Sequence, residues 1–356
     1  MFSVKNLLSS GGKIAGIDIG SSIIRLVELQ YTSEGCILHS FGQVFLERGI
    51  IENGVIKDHD ALSKKIRELF KVSRCEAKNV VTALPGHVVM IKKVGFRRME
   101  EEELREFIID EAREYMPFDD IRDVNFDFHI CGEQQGMDPG QMEVIIAAAK
   151  KDVTESYVYS IERAGRKVAI MDVDSFALET AYEENYDFDD SDTIALVNIG
   201  ASITNINIVK DKESVFTRNI ILGGDSITQA LQKKLGISFE EAEMIKIEGS
   251  SEHDNIEETF IGYLEPVFRE VGRSFDYFSS TVTDSYISRI IVSGGCAGIP
   301  GIVDAMKKKF HCETEIFNPF RNIAYDNNVF TPSYIRGIGP ASAIGVGLAL
   351  RKPEDK

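Results

Sequence analysis

Two similar α/β lobes facing each other across a cleft, with a small α+β unit inserted into the first, is the fold class this sequence predicts. Three observations lead there: a strand-turn-strand segment that occurs twice, β-branched runs alternating with helical periodicity around each copy, and a block of different element order between them. The 356 residues exceed the roughly 250 to 300 that one hydrophobic core normally serves. With 43% hydrophobic and 27% charged residues, the chain is neither disordered nor fibrous in composition.

The first lobe opens with strands expected at Ile14–Ile19 and Ile23–Gln30, β-branched and joined at Gly20, Ser21 and Ser22, and a third at Cys36–Phe45. Leu62, Ile66, Leu69 and Phe70 fall at helical spacing within Asp60–Val72, and Val80–Leu84 is a short buried strand stopped by Pro85 and Gly86. The order then changes. A strand at Val88–Val94, a helix at Met99–Met116, strands at Val124–Cys131 and Met142–Ala149, and a helix at Asp152–Ala164 form a βαββα block, read as an inserted domain. Glu100 to Glu103 begin its first helix, where carboxylates oppose the positive end of the dipole. Val168–Asp172 and Ser175–Glu184 return as strand and helix to the first lobe. Asp187–Asp192 is an acidic turn, and a second β-rich unit starts at Thr193. The expected plan is a tail at 1–12, a first lobe from 13–85, 167–192 and 338–356, an insert at 86–166 and a second lobe at 193–337.

The repeat decides the architecture. Ile14–Leu29 set over Ile194–Val209 matches Ile, Ala, Ile, Gly, Ser and Ile at equal places, with Asp18 opposite Asn198. In each copy the glycine permits a tight bend, and successive amide donors in such a bend make an anion-binding concavity. Asp18, at the end of its strand, supplies the hard oxygen that a phosphate-bound magnesium ion and its waters need. Phosphates clamped between two lobes are the implied ligand.

Further pieces accompany the pair. Ile290–Gly301 is a strand followed by glycines at 294, 295, 298 and 301 that opens the helix Ile302–Phe310, so backbone can approach a planar or phosphorylated ligand there. It lacks full Gly-x-Gly-x-x-Gly spacing, and no Walker-type Gly-Lys-Ser/Thr occurs. Gly223, Gly224 and Asp225 end the strand Thr217–Leu222 before the helix Ser226–Leu235. Glu243 and Lys246 lie one turn apart on the helix Phe239–Ile247, positioned for one ribose or adenine edge, with a surface ion pair as the competing reading.

In this order, Asp18-Ile-Gly-Ser-Ser22, Asn198-Ile-Gly-Ala-Ser202, Gly223-Gly-Asp225, Glu243-x-x-Lys246 and Ser293-Gly-Gly-Cys-Ala-Gly298 resemble the phosphate 1, phosphate 2 and adenosine motifs of the actin, Hsp70 and sugar kinase superfamily. Together with Thr82-Ala-Leu-Pro-Gly86, Glu111-Ala-Arg-Glu-Tyr-Met-Pro-Phe118 and Asp172-Val-Asp-Ser-Phe-Ala-Leu178, they resemble the PilM family, cytoplasmic actin-like proteins of type IV pilus assembly, over nearly the whole chain. The resemblance implies a two-lobed actin-like (ribonuclease H-like) nucleotide-binding fold, its insert matching the small domain of the division protein FtsA. It implies ATP with Mg2+, the phosphates at Asp18, Gly20, Ser21, Ser22, Asn198, Gly200, Ala201 and Ser202. Adenosine would lie against Gly223, Gly224, Glu243, Lys246, Gly294, Gly295 and Cys296, and magnesium at Asp18 through water. The implied partner is the cytoplasmic N-terminal tail of the membrane protein PilN, held in a groove beside the insert. PilO and PilP follow indirectly, pilus motor ATPases are further candidate contacts, and the membrane is reached only through partners.

The second phosphate loop of that family often carries Asp where this chain has Asn198, and an amide holds magnesium or orients water less strongly. Slow hydrolysis at most is expected. Asp172 and Asp174 are the candidates for activating water, with helix N-capping the competing reading of Asp174.

The remaining composition narrows the alternatives. Forty Lys+Arg against 57 Asp+Glu give a net charge of −17, which repels nucleic acid, and the basic cluster Lys92, Lys93, Arg97 and Arg98 is followed at once by Glu100 to Glu103. Five scattered cysteines without Cys-x-x-Cys, and an isolated His311-Cys312 pair, fit no zinc site and suggest a reducing compartment. The Leu7-Leu8 step is too short for a signal peptide, and no run of about 20 apolar residues spans a membrane. The last helix, Pro340–Leu350, is rich in small residues, and no amphipathic tail of the FtsA kind follows it. An FtsA-like filament and a small-metabolite kinase remain the alternatives to an adaptor.

Overall fold

The computed structural model describes residues 2–3, 13–33, 35–111, 114, 116, 118, 120–131, 140–189, 192–248, 256–282 and 286–352. The expected tail apart from Phe2 and Ser3, most of the stretch after Glu111, the turn before Gly140, Asp190 and Ser191 of the acidic turn, and residues 353–356 lie outside the described residues.

Both lobes have the same sheet. In the first, Gly35–Phe45, Ile23–Thr32, Ile14–Ile19, Asn79–Leu84 and Lys167–Val173 lie side by side in that order, the first three antiparallel and the last two joined in parallel. In the second, Glu213–Ile220, Thr204–Lys210, Thr193–Ile199, Arg289–Ser293 and Glu313–Ile316 repeat that order and those directions. The duplicated sequence is thus a duplicated topology. Ala324–Tyr325 and Phe2–Ser3 add short strands at the two ends of the first sheet.

Apolar periodicity builds the layers. The helix His59–Ser73 is capped by Asp58, whose carboxylate accepts from the Ala61 amide at 2.9 Å, and buries Leu62, Ile66, Leu69 and Phe70 on the outer face of the first sheet. Between the sheets lie the helices Asp174–Asn185 and Ala343–Leu350, the latter buried at every residue. A side chain on Gly347 would stand 1.7 Å from the Ala177 carbonyl, and one on Gly16 would stand 2.5 Å from the Ala349 amide. Small residues in the last helix therefore set how closely the layers approach.

The insert is a three-stranded antiparallel sheet, Val89–Arg97, Gln141–Lys150 and Val124–Ile130, packed on the helix Glu101–Asp110 through Leu104 and Ile108. The helix expected to close it, observed as Lys151–Arg163, packs elsewhere: Tyr157, Ile161 and Ala164 join the core of the first lobe. It occupies the crossover that Ile302–Phe310 occupies in the second lobe, so the insertion lies within an ordinary β-α-β connection. Two helices without an expected counterpart, Ile256–Tyr263 and Glu265–Thr281, enlarge the second lobe, and the latter buries Val267, Phe268, Val271, Phe275 and Phe278.

Candidate functional site

Each repeated hairpin ends in the same turn. The Gly20 amide donates to the Ile23 carbonyl at 3.2 Å and the Gly200 amide donates to the Ile203 carbonyl at 2.9 Å. A Cβ at Gly20 or Gly200 would lie 2.8 or 2.9 Å from that same carbonyl oxygen, so both bends exclude any side chain. The fold brings the two bends together at a cleft of about 850 Å³, where the hydroxyls of Ser21 and Ser202 are 2.7 Å apart. Asp18, Ser22, Asn198 and Ala201 line the same cleft.

One residue pair back from each turn, the hairpins carry a matched polar pair. Asp18 is registered opposite Arg25, and Asn198 opposite Asn205. Sequence reasoning missed Arg25 and Asn205, although hairpin register and the repeat together point to them. Burial pushes Asp18 above the usual carboxylate range while the Arg25 charge opposes the rise, and burial lowers Arg25. The Arg25 Nε is buried with no hydrogen-bond partner. A cleft with amide-rich bends and an underused guanidinium fits a phosphorylated ligand. Among the described residues, no cluster of three His, Cys, Asp or Glu could hold a metal, so a cation at Asp18 would have to be carried largely by phosphate and water.

In the second hairpin the polar pair extends into a buried chain. The Ser293 hydroxyl donates to Asn198 Oδ1 at 3.2 Å, and Asn198 Nδ2 donates to Asn205 Oδ1 at 3.2 Å. Asn205 Nδ2 donates to Asp174 Oδ2 at 2.7 Å, and Asp174 Oδ1 accepts from the Gly86 amide at 3.0 Å. Asp174 does not cap its helix, since the cap position is Val173; it joins the second lobe to the start of the insert. Burial pushes its carboxyl up to about 7, with those hydrogen bonds opposing the rise.

Asp172, the other candidate for activating water, is not at this cleft. Its carboxylate accepts from Arg351 Nε at 2.6 Å and lines a second cavity of about 250 Å³ beside the insert. Two positions apart in an unbroken strand, the two aspartates would share a face; the strand ends at Val173 and Asp174 begins a helix, so they diverge.

The expected adenosine residues fall into two groups. Glu243, Lys246, Gly294, Gly295 and Cys296 line the cleft. Lys246 pairs with Glu243 at 2.6 Å and donates to Thr228 Oγ1 at 2.9 Å. Gly223 and Gly224 instead support the second bend from behind: the Gly224 amide donates to the Gly200 carbonyl at 2.9 Å, and a Cβ on Gly223 would lie 2.5 Å from that oxygen. Gly294, at φ +89°, passes so close to Ile199 that only glycine fits. Cys296 packs its Sγ 3.7 Å from the Gly200 carbonyl, and burial pushes its thiol up to about 12, which excludes a nucleophile.

Comparisons with known proteins identify the family and the fold. Residues 16–353 match the model of the family "Type IV pilus assembly protein PilM". The cell division protein FtsA of Enterococcus faecalis is 21% identical over 379 residues, covering 92% of this chain and 84% of that protein. The solved structure of a PilM-PilN type IV pilus biogenesis complex superposes with a TM-score of 0.84 at 24% identity, covering 96% of this chain and 99% of that one. MreB5 of Spiroplasma citri bound to ADP gives a TM-score of 0.50 at 12% identity, covering 95% of each chain. The two-lobed architecture is the actin-like fold.

Proposed function

This chain belongs to the PilM family of type IV pilus assembly proteins, and from that premise we propose that it is an ATP-binding adaptor that captures the cytoplasmic N-terminal tail of PilN. The observation that carries the nucleotide half is the meeting of the two glycine bends at one cleft, with Arg25 beneath them. With the Gly20 and Gly200 amides closing the two turns, the amides and hydroxyls that follow them, at Ser21, Ser22, Ala201 and Ser202, would hold phosphates from opposite sides, Lys246 and Glu243 the nucleoside end, and Asp18 the waters of a magnesium ion riding on the phosphates. Bound ATP supplies charge that both lobes neutralise, so it favours the closed arrangement. The neutral Asn198–Asn205 pair supports binding with slow hydrolysis at most.

The partner half rests on family membership and on the groove between the first lobe and the insert. No helix among the described residues is long and apolar enough to cross a membrane, so a place at the inner membrane would come through PilN, with PilO, PilP and the motor ATPases further removed. A pull-down with a peptide of the PilN tail, with and without Mg·ATP, tests both halves. Retention that rises with nucleotide is the expected result; equal retention would separate the two sites, and none would end the adaptor reading.

A further inference from the structure

Behind the nucleoside end of the cleft, two helices of the second lobe meet through polar groups. Asp225–Leu235 begins directly after Gly223 and Gly224, and its fourth residue, Thr228, is 0% exposed. Phe239–Glu248 is started by a capping box: the Glu241 amide donates to Ser238 Oγ at 3.1 Å, and the Ser238 amide donates to Glu241 Oε2 at 2.8 Å. From that start, Glu243 and Lys246 fall three apart on one face, and both reach Thr228.

Thr228 closes a ring of hydrogen bonds. Its hydroxyl donates to Glu243 Oε2 at 2.5 Å and accepts from Lys246 Nζ at 2.9 Å, while Lys246 pairs with that same carboxylate oxygen at 2.6 Å. A hydroxyl has a single proton, and the ring uses it. With the Lys246 side chain 10% and the Glu243 side chain 27% exposed, this is not the loose surface ion pair that the spacing alone would allow. Glu243 and Lys246 line the cleft, and Thr228 stands behind them, out of contact with solvent.

We propose that Thr228 is a positioning residue for the nucleoside, its hydroxyl holding Glu243 and Lys246 in one arrangement before a ligand arrives. The proposal rests on the nucleotide-binding reading and deepens it with a residue that touches no ligand. Unanchored Glu and Lys side chains sample many rotamers, and each one immobilised on binding weakens affinity. A buried three-way contact removes that penalty beforehand. Because Oε2 takes both bonds, Glu243 keeps Oε1 for a donor on the ligand.

The same helical turn also serves the phosphate end. The Gly224 and Asp225 amides donate to the Gly200 and Ala201 carbonyls at 2.9 and 2.8 Å, and Lys246 Nζ donates to the Gly224 carbonyl at 3.4 Å. Two roles for Thr228 therefore leave different signatures. Support of the glycine bend would affect every phosphate ligand, whereas positioning of the pair would affect only ligands that carry a nucleoside.

Thr228→Val keeps the side-chain shape and removes the hydroxyl; the Lys246–Glu243 contact remains, so no charge is left unpaired. Calorimetry on the full chain with Mg·ATP should show about a 10-fold loss of affinity, the scale expected when two side chains lose their preorganisation. Thr228→Ser restores the hydroxyl and should return affinity to within about 2-fold of the parent. Inorganic tripolyphosphate, a ligand for the bends alone, should bind the parent and T228V within about 2-fold of each other. Unchanged ATP affinity in T228V, no recovery in T228S, or equal losses for ATP and tripolyphosphate would each overturn the proposal. If T228V does not fold, T228A measured against T228S with the same two ligands takes its place. A parent that binds no ATP would defeat the nucleotide-binding reading and this inference with it; a parent that binds ATP no better than T228V would defeat this inference alone.

Discussion

The hydroxyl of Ser21, in the first glycine bend, lies 2.7 Å from the hydroxyl of Ser202, in the second. Two copies of one hairpin thus touch through the residues proposed to receive a phosphate. A phosphorylated ligand entering here must replace that hydrogen bond with its own to both hydroxyls, which makes contact between the lobes depend on what occupies the cleft.

Introducing an aspartate at either bend, Gly20→Asp or Gly200→Asp, should abolish ATP binding. The added Cβ meets a carbonyl within 3 Å, and the carboxylate repels phosphate. Calorimetry should show at least about a 100-fold loss, equivalent to about 2.8 kcal/mol. Far-ultraviolet dichroism should be unchanged.

The buried Asp174 should tie stability to pH. Its carboxyl titrates at about 7 in the folded chain and near its ordinary value of 3.8 when unfolded, so between those values the folded state holds the extra proton. Stability contributed by this group therefore falls as pH rises from about 4 to about 7 and is level above. Asp174→Asn should flatten the curve in that window by up to about 4 kcal/mol at about 1.36 kcal/mol per pH unit. Denaturant titrations of parent and variant across the window measure the difference, in which the similarly raised Glu179 cancels.

Breaking the Asp172–Arg351 pair should damage the fold without touching the cleft. Asp172 is 1% exposed, and Arg351→Met would leave it an uncompensated buried charge, at a cost of about 3 to 5 kcal/mol. The double variant with Asp172→Leu should recover much of that loss. Thermal unfolding measures both effects, and ATP affinity should stay within about 2-fold of the parent, or about 0.4 kcal/mol.

Gly347→Ala should be among the most destabilising single-methyl changes in the chain. Its Cβ would sit 1.7 Å from the Ala177 carbonyl, between two backbones that cannot both retreat. Overpacking of this kind costs about 1 to 3 kcal/mol or more, readable as a lower denaturation midpoint. The same change at Gly298, where a Cβ meets nothing within 4 Å, should cost far less.

Much of the site was legible because it repeats. The glycine bends follow from Gly20 and Gly200 in matched hairpins, and Asn205 could have been found by counting back across the second turn as Arg25 is counted across the first. The supporting role of Gly223 and Gly224 was not legible, because it depends on which loop folds against Gly200 rather than on spacing along the chain. Nor was the allegiance of Lys151–Arg163: its amphipathic stripe is the same whichever core receives it. Asp172 and Asp174 looked alike until the strand stopped between them.

By itself the sequence determined the two lobes, the insert and the pair of bends, since β-branching, glycine and periodicity act within a few residues and need no distant partner. Tertiary structure alone decided that the bends meet, that Asp174 joins the cleft to the insert while Asp172 serves a different cavity, and which thiols and carboxyls are held protonated. Those outcomes depend on burial and on pairings between residues far apart in the chain, and desolvation is a property of the packed molecule rather than of any segment.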